Sequence, residues 1–246
     1  MQVFFACPSG LAHYRMQSHF PHRKKNCSAR ALNTEYIMSN YELRAASLPR
    51  FGQRLALRLL QLFGWKMRYR PLPGPHGVAI VYPHTSNWDF MVGLLGKWAL
   101  GLPFHWLGKE SLFKGPLAGM MRRWGGVPVE RSSSTGATQR LAETMRQSDW
   151  FWLALAPEGT RSYTPHLRSG FYHLALAAKV PLVIVYLDYP NKELGVVDVV
   201  RLSGDVDKDM AAIAAAYQGH QGYHPELAAP IKLAPPRGSD DAGKQA

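Results

Sequence analysis

The sequence predicts an α/β fold, in which a mixed, largely parallel sheet is flanked by helices. Three observations point there. Short apolar runs alternate with longer segments of helical period between residues 78 and 217, a pattern that lays strands side by side with helices as the crossovers. The length of 246 residues suffices for one sizeable core and gives no reason to divide the chain. Both cysteines, Cys7 and Cys27, precede the alternating region, so its core has neither a disulfide framework nor a thiolate metal site.

Taken in order, residues 1–37 hold scattered His, Cys and Ser with no helical or strand period, and are expected to be a disordered or spurious N-terminal extension, with Met38 as an alternative start. His13, His19 and His22 with the two cysteines match no zinc spacing. Residues 38–70 are expected to form a basic amphipathic, membrane-facing segment. At about 100° per residue, Phe51, Leu55, Leu59, Leu62 and Phe63 share one helix face, while Arg50, Arg54, Arg58 and Gln61 share the other and Leu57 is out of place. Such a stripe either packs on the core or lies in a lipid interface with its arginines at phosphates, and the neighbouring Lys66, Arg68 and Arg70 favour the interface.

The main domain, 71–233, follows. Apolar runs predict strands over 78–82, 104–107, 127–130, 150–156, 182–188 and 196–202. Helical patterns predict helices over 88–100, 111–124, 135–147, 169–178 and 206–217. Residues 234–246 are a flexible Pro/Gly-containing tail.

The formal charge of +12 is concentrated early: residues 1–70 hold 12 Lys/Arg against 2 Asp/Glu, whereas the rest is almost balanced at 17 against 15. A basic flank is drawn to anionic lipid or to nucleic acid, and charge alone does not choose. The start MQVFFACPSGLA has its basic HRKK after the apolar run, the wrong order for a secretory signal. No stretch reaches the roughly 18 apolar residues of a spanning helix, the nearest being broken by Lys97, Pro103 and His105. The expectation is a peripheral protein on the cytoplasmic face of a membrane.

The chemistry is concentrated at two loops. Pro83-His84-Thr85-Ser86-Asn87-Trp88-Asp89 leaves one predicted strand and opens a predicted helix, where open α/β sheets gather their sites. Ser86 or Asn87 can cap that helix, leaving Asp89 in its first turn and His84 just before it. A carboxylate holding one imidazole nitrogen leaves the other free as a base, which a hydroxyl nucleophile needs near neutral pH. With 10 His and 9 Asp, some such pair arises by chance about one time in three, so the pair alone is weak. The second loop, Pro157-Glu158-Gly159-Thr160-Arg161-Ser162, follows the apolar WFWLALA. It offers Gly159 for close backbone approach, Arg161 for a phosphate and Glu158 to order the site.

Together these blocks resemble the glycerophosphate acyltransferases: H-x-x-x-x-D at His84 and Asp89, then Gly126-Val127-Pro128-Val129-Glu130-Arg131, then E-G-T-R-S. The likeness runs from about Val78 to Val185. It implies an acyltransferase catalytic domain, 1-acylglycerol-3-phosphate type, in which His84 deprotonates the acceptor hydroxyl and Asp89 orients it. It further implies substrate binding by Arg131, Glu158, Gly159, Thr160 and Arg161, and Lys109 is a weaker candidate for a phosphate. The implied donor is an acyl thioester of acyl-carrier protein or coenzyme A, with no resident cofactor and no metal. The implied partners are a lysophospholipid and an anionic membrane surface, with no nucleic acid. Pro83 stands where many members have Asn, and Val180-Pro181-Leu182-Val183-Ile184-Val185 lacks the second proline of the fourth motif; these departures bear on the acceptor.

No G-x-S-x-G elbow, H-E-x-x-H helix or G-x-x-x-x-G-K-[ST] loop occurs, which removes serine hydrolase, zincin and P-loop readings. A nucleic-acid binder is supported only by the pI near 9.9. A catalytically silent lipid-binding module leaves the His84/Asp89 pair unexplained.

Overall fold

The computed structural model describes residues 2–7, 10–15, 50–129 and 136–234. Most of the extension, the Glu130–Arg131 portion of the second block and all but the first residue of the expected tail lie outside them.

Strands β4 (His76–Tyr82), β7 (Phe151–Leu155) and β8 (Leu182–Asp188) form the centre of the sheet, with β4 parallel to β7 on one side and to β8 on the other. Their sequences are near-continuous apolar runs because both faces are covered; Val78, Ile80, Leu153, Leu182 and Ile184 have no exposed surface. Beyond β7 lie β5 (His105–Lys109) and β6 (Gly126–Val129), both parallel. Beyond β8 lie the antiparallel β9 (Glu193–Val200) and the short β3 (Lys66–Arg68). These seven strands run β3-β9-β8-β4-β7-β5-β6, so the mixed, largely parallel sheet predicted from the alternation is the sheet observed.

Two further strands extend the β3 edge. β1 (Gln2–Cys7) and β2 (Gly10–Arg15) pair as an antiparallel hairpin, with Phe4 opposite Arg68. They fall where the sequence shows no clear period, and neither they nor the three-residue β3 were anticipated; pairing to a distant edge leaves little local signature.

Residues of alternate parity on each strand feed two helical layers. Val78, Ile80, Leu153 and Ile184 pack with Met145 of α4 (Ala137–Gln147), Phe171 and Tyr172 of α5 (Gly170–Ala178), and Met210 and Ile213 of α6 (Val206–Ala216). On the opposite face, Leu60 of α1 (Arg50–Leu62) and Val92 of α2 (Trp88–Leu100) meet Leu187 and Leu194. Gly77 leaves room for the buried Trp152 indole, which lies 2.2 Å from where a Cβ would stand.

Two helical expectations change. The segment 111–124 is not one helix: a 3-10 turn, Glu110–Phe113, is followed by α3 (Ala118–Arg123). Gly115 at φ +93° and Pro116 separate them, since the proline ring disfavours helical backbone in the residue before it. Helix α1 buries Ala56 and Leu60, whereas its apolar stripe faces outward, with Phe51 and Leu62 each 77% exposed. Packing on the core by that stripe is therefore not what anchors the helix. Leu57, out of place on the stripe, is half-buried beside the true inner face. Of the nearby basic residues, Arg68 pairs with Glu193 at 2.8 Å and Arg70 with Asp198 at 3.2 Å, so both are engaged within the sheet.

Candidate active site

The chain leaves β4 for α2 and β5, then returns to place β7 on one side of β4 and β8 on the other. The carboxyl ends of these three strands meet at a switch point, where open sheets leave a crevice. Each contributes a functional loop.

After β4, Asp89 sits in the first turn of α2, where an acid is favoured by the helix terminus. It is 3% exposed and fully engaged. Its Oδ2 accepts hydrogen bonds from the Thr85 and Ser86 backbone N–H groups, both at 2.8 Å, and lies 3.1 Å from His84 Nδ1. Its Oδ1 accepts from the Tyr189 hydroxyl at 2.6 Å. Asn87 occupies the N-cap position without a side-chain cap bond, while Ser86 Oγ accepts from Trp88 N–H at 3.2 Å. With Nδ1 toward Asp89, His84 has Nε2 left for a substrate proton.

After β7, Glu158 is 2% exposed, and both its oxygens are taken by backbone. Oε2 accepts from His84 N–H at 2.6 Å and Oε1 from Ala229 N–H at 3.1 Å. Burial pushes its carboxyl up, against the pull of those amides and of His84. Glu158 thus joins the β7 loop, the base-bearing loop and the C-terminal segment, and presents no free oxygen to a substrate. The Tyr82 hydroxyl, pushed up to about 12 by burial and by Glu158, donates to Ala229 O at 2.8 Å and strengthens the same junction.

Gly159 has φ +66°, and the Arg168 side chain runs over it, its Nε 2.4 Å from where a Cβ would stand. Thr160 Oγ1 accepts from Ser162 N–H, a local turn bond. Arg161 is exposed and donates from Nη1 to Asn87 Oδ1, which ties the second loop to the start of α2. Lys109 is exposed at the end of β5 and does not line the cavity described next. Arg131 lies outside the described residues.

His84 and Asp89 stand at one end of an apolar cavity of about 210 Å³ between the sheet and α2. Its walls are Ala79, Val81, Val183 and Val185 from the strands and Phe90, Gly93 and Leu94 from the helix; Leu72, Lys97, Leu100 and Phe104 line it farther from the pair. Burial lowers Lys97 to about 8, and its ammonium donates to Trp124 O. Burial also lowers His105, with Lys97 adding to the effect. Among the described residues no group of His, Cys, Asp and Glu could hold a metal ion, and no helix is long and apolar enough to cross a membrane.

The sequence did not reveal three contributors. Tyr189 is 100 residues from Asp89, Ala229 is 71 from Glu158, and Arg168 belongs to none of the recognised motifs. Only the gap left by Gly159 hints at Arg168.

The family profile described as Acyltransferase matches residues 67–188. Among solved structures, the chain is similar to the crystal structure of the 1-acyl-sn-glycerophosphate (LPA) acyltransferase PlsC from Thermotoga maritima, at 16% identity and a TM-score of 0.48, over 78% of this chain and 82% of that one. No curated protein matches.

Proposed function

We propose that the chain, whose residues 67–188 match the acyltransferase family profile, transfers a fatty acyl group from an acyl thioester to the free hydroxyl of a lysophospholipid, 1-acylglycerol-3-phosphate first among them, in phospholipid biosynthesis. The observation that carries this reading is the imidazole–carboxylate pair at the end of an apolar cavity. A base and a greasy slot are what an alcohol and an acyl chain require.

In this reading His84 Nε2 takes the acceptor's hydroxyl proton as its oxygen attacks the thioester carbonyl. The tetrahedral intermediate expels the thiolate, which recovers the proton from the imidazolium, leaving an ester and a free thiol. Asp89 holds the ring through Nδ1, and the cavity takes the donor's chain. Arg161 meets the acceptor phosphate, and Arg131 is its proposed second ligand. Glu158 acts by ordering the loop that carries His84.

The outward stripe of α1 gives the reading a membrane component. Phe51, Leu55, Leu62 and Phe63 are exposed beside the exposed Arg54 and Arg58, a combination suited to an anionic interface. Gln53 abuts Gly101 at the end of α2, and Leu60 packs with Val92 in its first half, so the two helices run antiparallel and the end of α1 lies toward the start of α2.

The test is incubation of the purified full chain with labelled acyl-carrier protein or coenzyme A thioesters and a panel of lysophospholipids. Phosphate-bearing acceptors are expected to be acylated, and to lose acylation in His84→Ala. Preference for an acceptor without phosphate would sink the glycerophosphate assignment while leaving acyl transfer standing. Vesicle pelleting tests the interface: Arg54→Glu with Arg58→Glu is expected to release the protein from anionic vesicles, and unchanged pelleting would refute it.

A further inference from the structure

Asp89 has more donors around it than the His84 partnership requires. Oδ2 is shared by two backbone N–H groups and approached by His84 Nδ1, whereas Oδ1 is met by the Tyr189 hydroxyl at 2.6 Å. Tyr189 is the residue immediately after β8 and one position beyond the segment the family profile matches.

The phenol is held firmly. Its ring meets Trp65 edge-on at 5.0 Å and Tyr223 at 5.2 Å, and its backbone N–H donates to Gln221 O at 3.0 Å. A donor so fixed on Oδ1 holds the rotation of the carboxylate, because turning its plane away from the phenol would leave a buried oxygen without a donor. It also draws charge from the carboxylate whose other oxygen faces His84 Nδ1.

Of the other charged and titratable groups near the pair, Glu158 is coupled by charge to both His84 and Asp89, and the rest bond elsewhere. Glu158 accepts from His84 N–H, and Tyr82 donates to Ala229 O. Arg161 donates to Asn87, His224 donates its backbone N–H to Thr85 Oγ1, and Tyr223 packs on the Tyr189 ring.

We propose that Tyr189 is a positioning residue for the His84–Asp89 pair, its hydroxyl fixing the Asp89 carboxylate that in turn orients the His84 ring. The inference rests on reading His84 as the base, but its test does not require that any acceptor has been identified.

The titration of His84 is followed by NMR in the full chain, in wild type, Tyr189→Phe, Asp89→Asn and the double variant. Tyr189→Phe keeps both ring contacts and removes only the hydroxyl. Its His84 midpoint is expected to rise, because the facing carboxylate loses a donor, and not to move when the same change is made on Asp89→Asn. Fluorotyrosine at position 189, a stronger donor, should move the midpoint down. With an active acceptor in hand, Tyr189→Phe should lower kcat about tenfold at neutral pH with little change in KM, and shift the acidic limb of the pH profile upward. A His84 titration in Tyr189→Phe that superimposes on wild type, or a shift that persists without the Asp89 carboxylate, overturns the proposal. If no lysophospholipid is acylated, the titration still decides it, so the two readings fail separately.

Discussion

Two neighbouring parallel strands, β4 and β7, each lead into a loop with a carboxylate that is at most 3% exposed, yet Asp89 and Glu158 are wired differently. Asp89 faces a titratable ring and a phenol as well as two amides. Glu158 spends both oxygens on backbone N–H groups from segments far apart in the chain. Burial and formal charge are alike for the two carboxylates and so do not separate the roles. The partners separate them: a carboxylate on an imidazole can alter that ring's proton affinity, whereas one on amides fixes the backbone.

This contrast predicts which substitutions act on rate and which on stability. The largest effect falls on His84→Ala, expected to lower turnover by about 10² to 10⁴ while leaving the melting temperature nearly unchanged, because a half-buried ring at a loop contributes little packing. Near wild-type turnover would remove the base role. Next comes Asp89→Asn, which should lose most activity, on the order of 10²-fold, through the orientation of the ring. The Asn carbonyl can still receive the Thr85 and Ser86 amides, so the protein should fold, and wild-type activity would reduce Asp89 to a helix-terminus residue.

Glu158→Gln should reverse the pattern, costing about 1 to 3 kcal/mol of stability because its NH2 group faces an amide that needs an acceptor. Turnover of the folded variant should fall far less than in Asp89→Asn. The pH dependence has a definite sign. Burial raises the folded-state value of Glu158 above its ordinary 4.5, so the folded protein takes up this proton before the unfolded chain does. The cost of burying the ionised group is complete above the raised value and is relieved as pH falls through it. No further gain follows below the unfolded value. Relative to Glu158→Gln, wild type should therefore gain stability as pH falls through that window, and parallel melting curves would contradict the assignment.

The same contrast explains how far the sequence could be read. Strands β4, β7 and β8 were legible because burial on both faces leaves unbroken runs such as VAIVY and LVIVYLD. The spacing of His84 and Asp89 was legible because their meeting is local, across one strand-to-helix turn. Gly115-Pro116 was in plain view, but the apolar pattern around it outweighed the break. Helix α1 shows the limit of periodicity: the apolar stripe is real, yet the side that faces the core is set by Ala56 and Leu60. Tyr189 reaches the site through the sheet order and Ala229 through the C-terminal segment folding onto Glu158, and nothing near them in sequence marks either one.

Arg161 joins the two loops and supplies the finest test, because it follows Glu158 by three residues yet donates to Asn87 beside the other carboxylate. It is exposed, so its removal should leave the melting temperature alone, unlike the change at Glu158. If the guanidinium receives the acceptor phosphate, Arg161→Ala should raise KM for lysophosphatidic acid about tenfold, the loss of one charge-assisted hydrogen bond of roughly 1.4 kcal/mol or more. The donor's KM should change less. A fall in kcat as well would mean that the phosphate contact also aligns the hydroxyl with His84, since a displacement of about 1 Å can cost 10²-fold. Asn87→Ala separates holding from binding: it frees the guanidinium without deleting it, so its effect on KM should be smaller and in the same direction. Unchanged lysophosphatidic acid kinetics in Arg161→Ala would leave the second loop with Glu158's backbone-ordering role alone, and the acceptor's phosphate would have to be bound elsewhere.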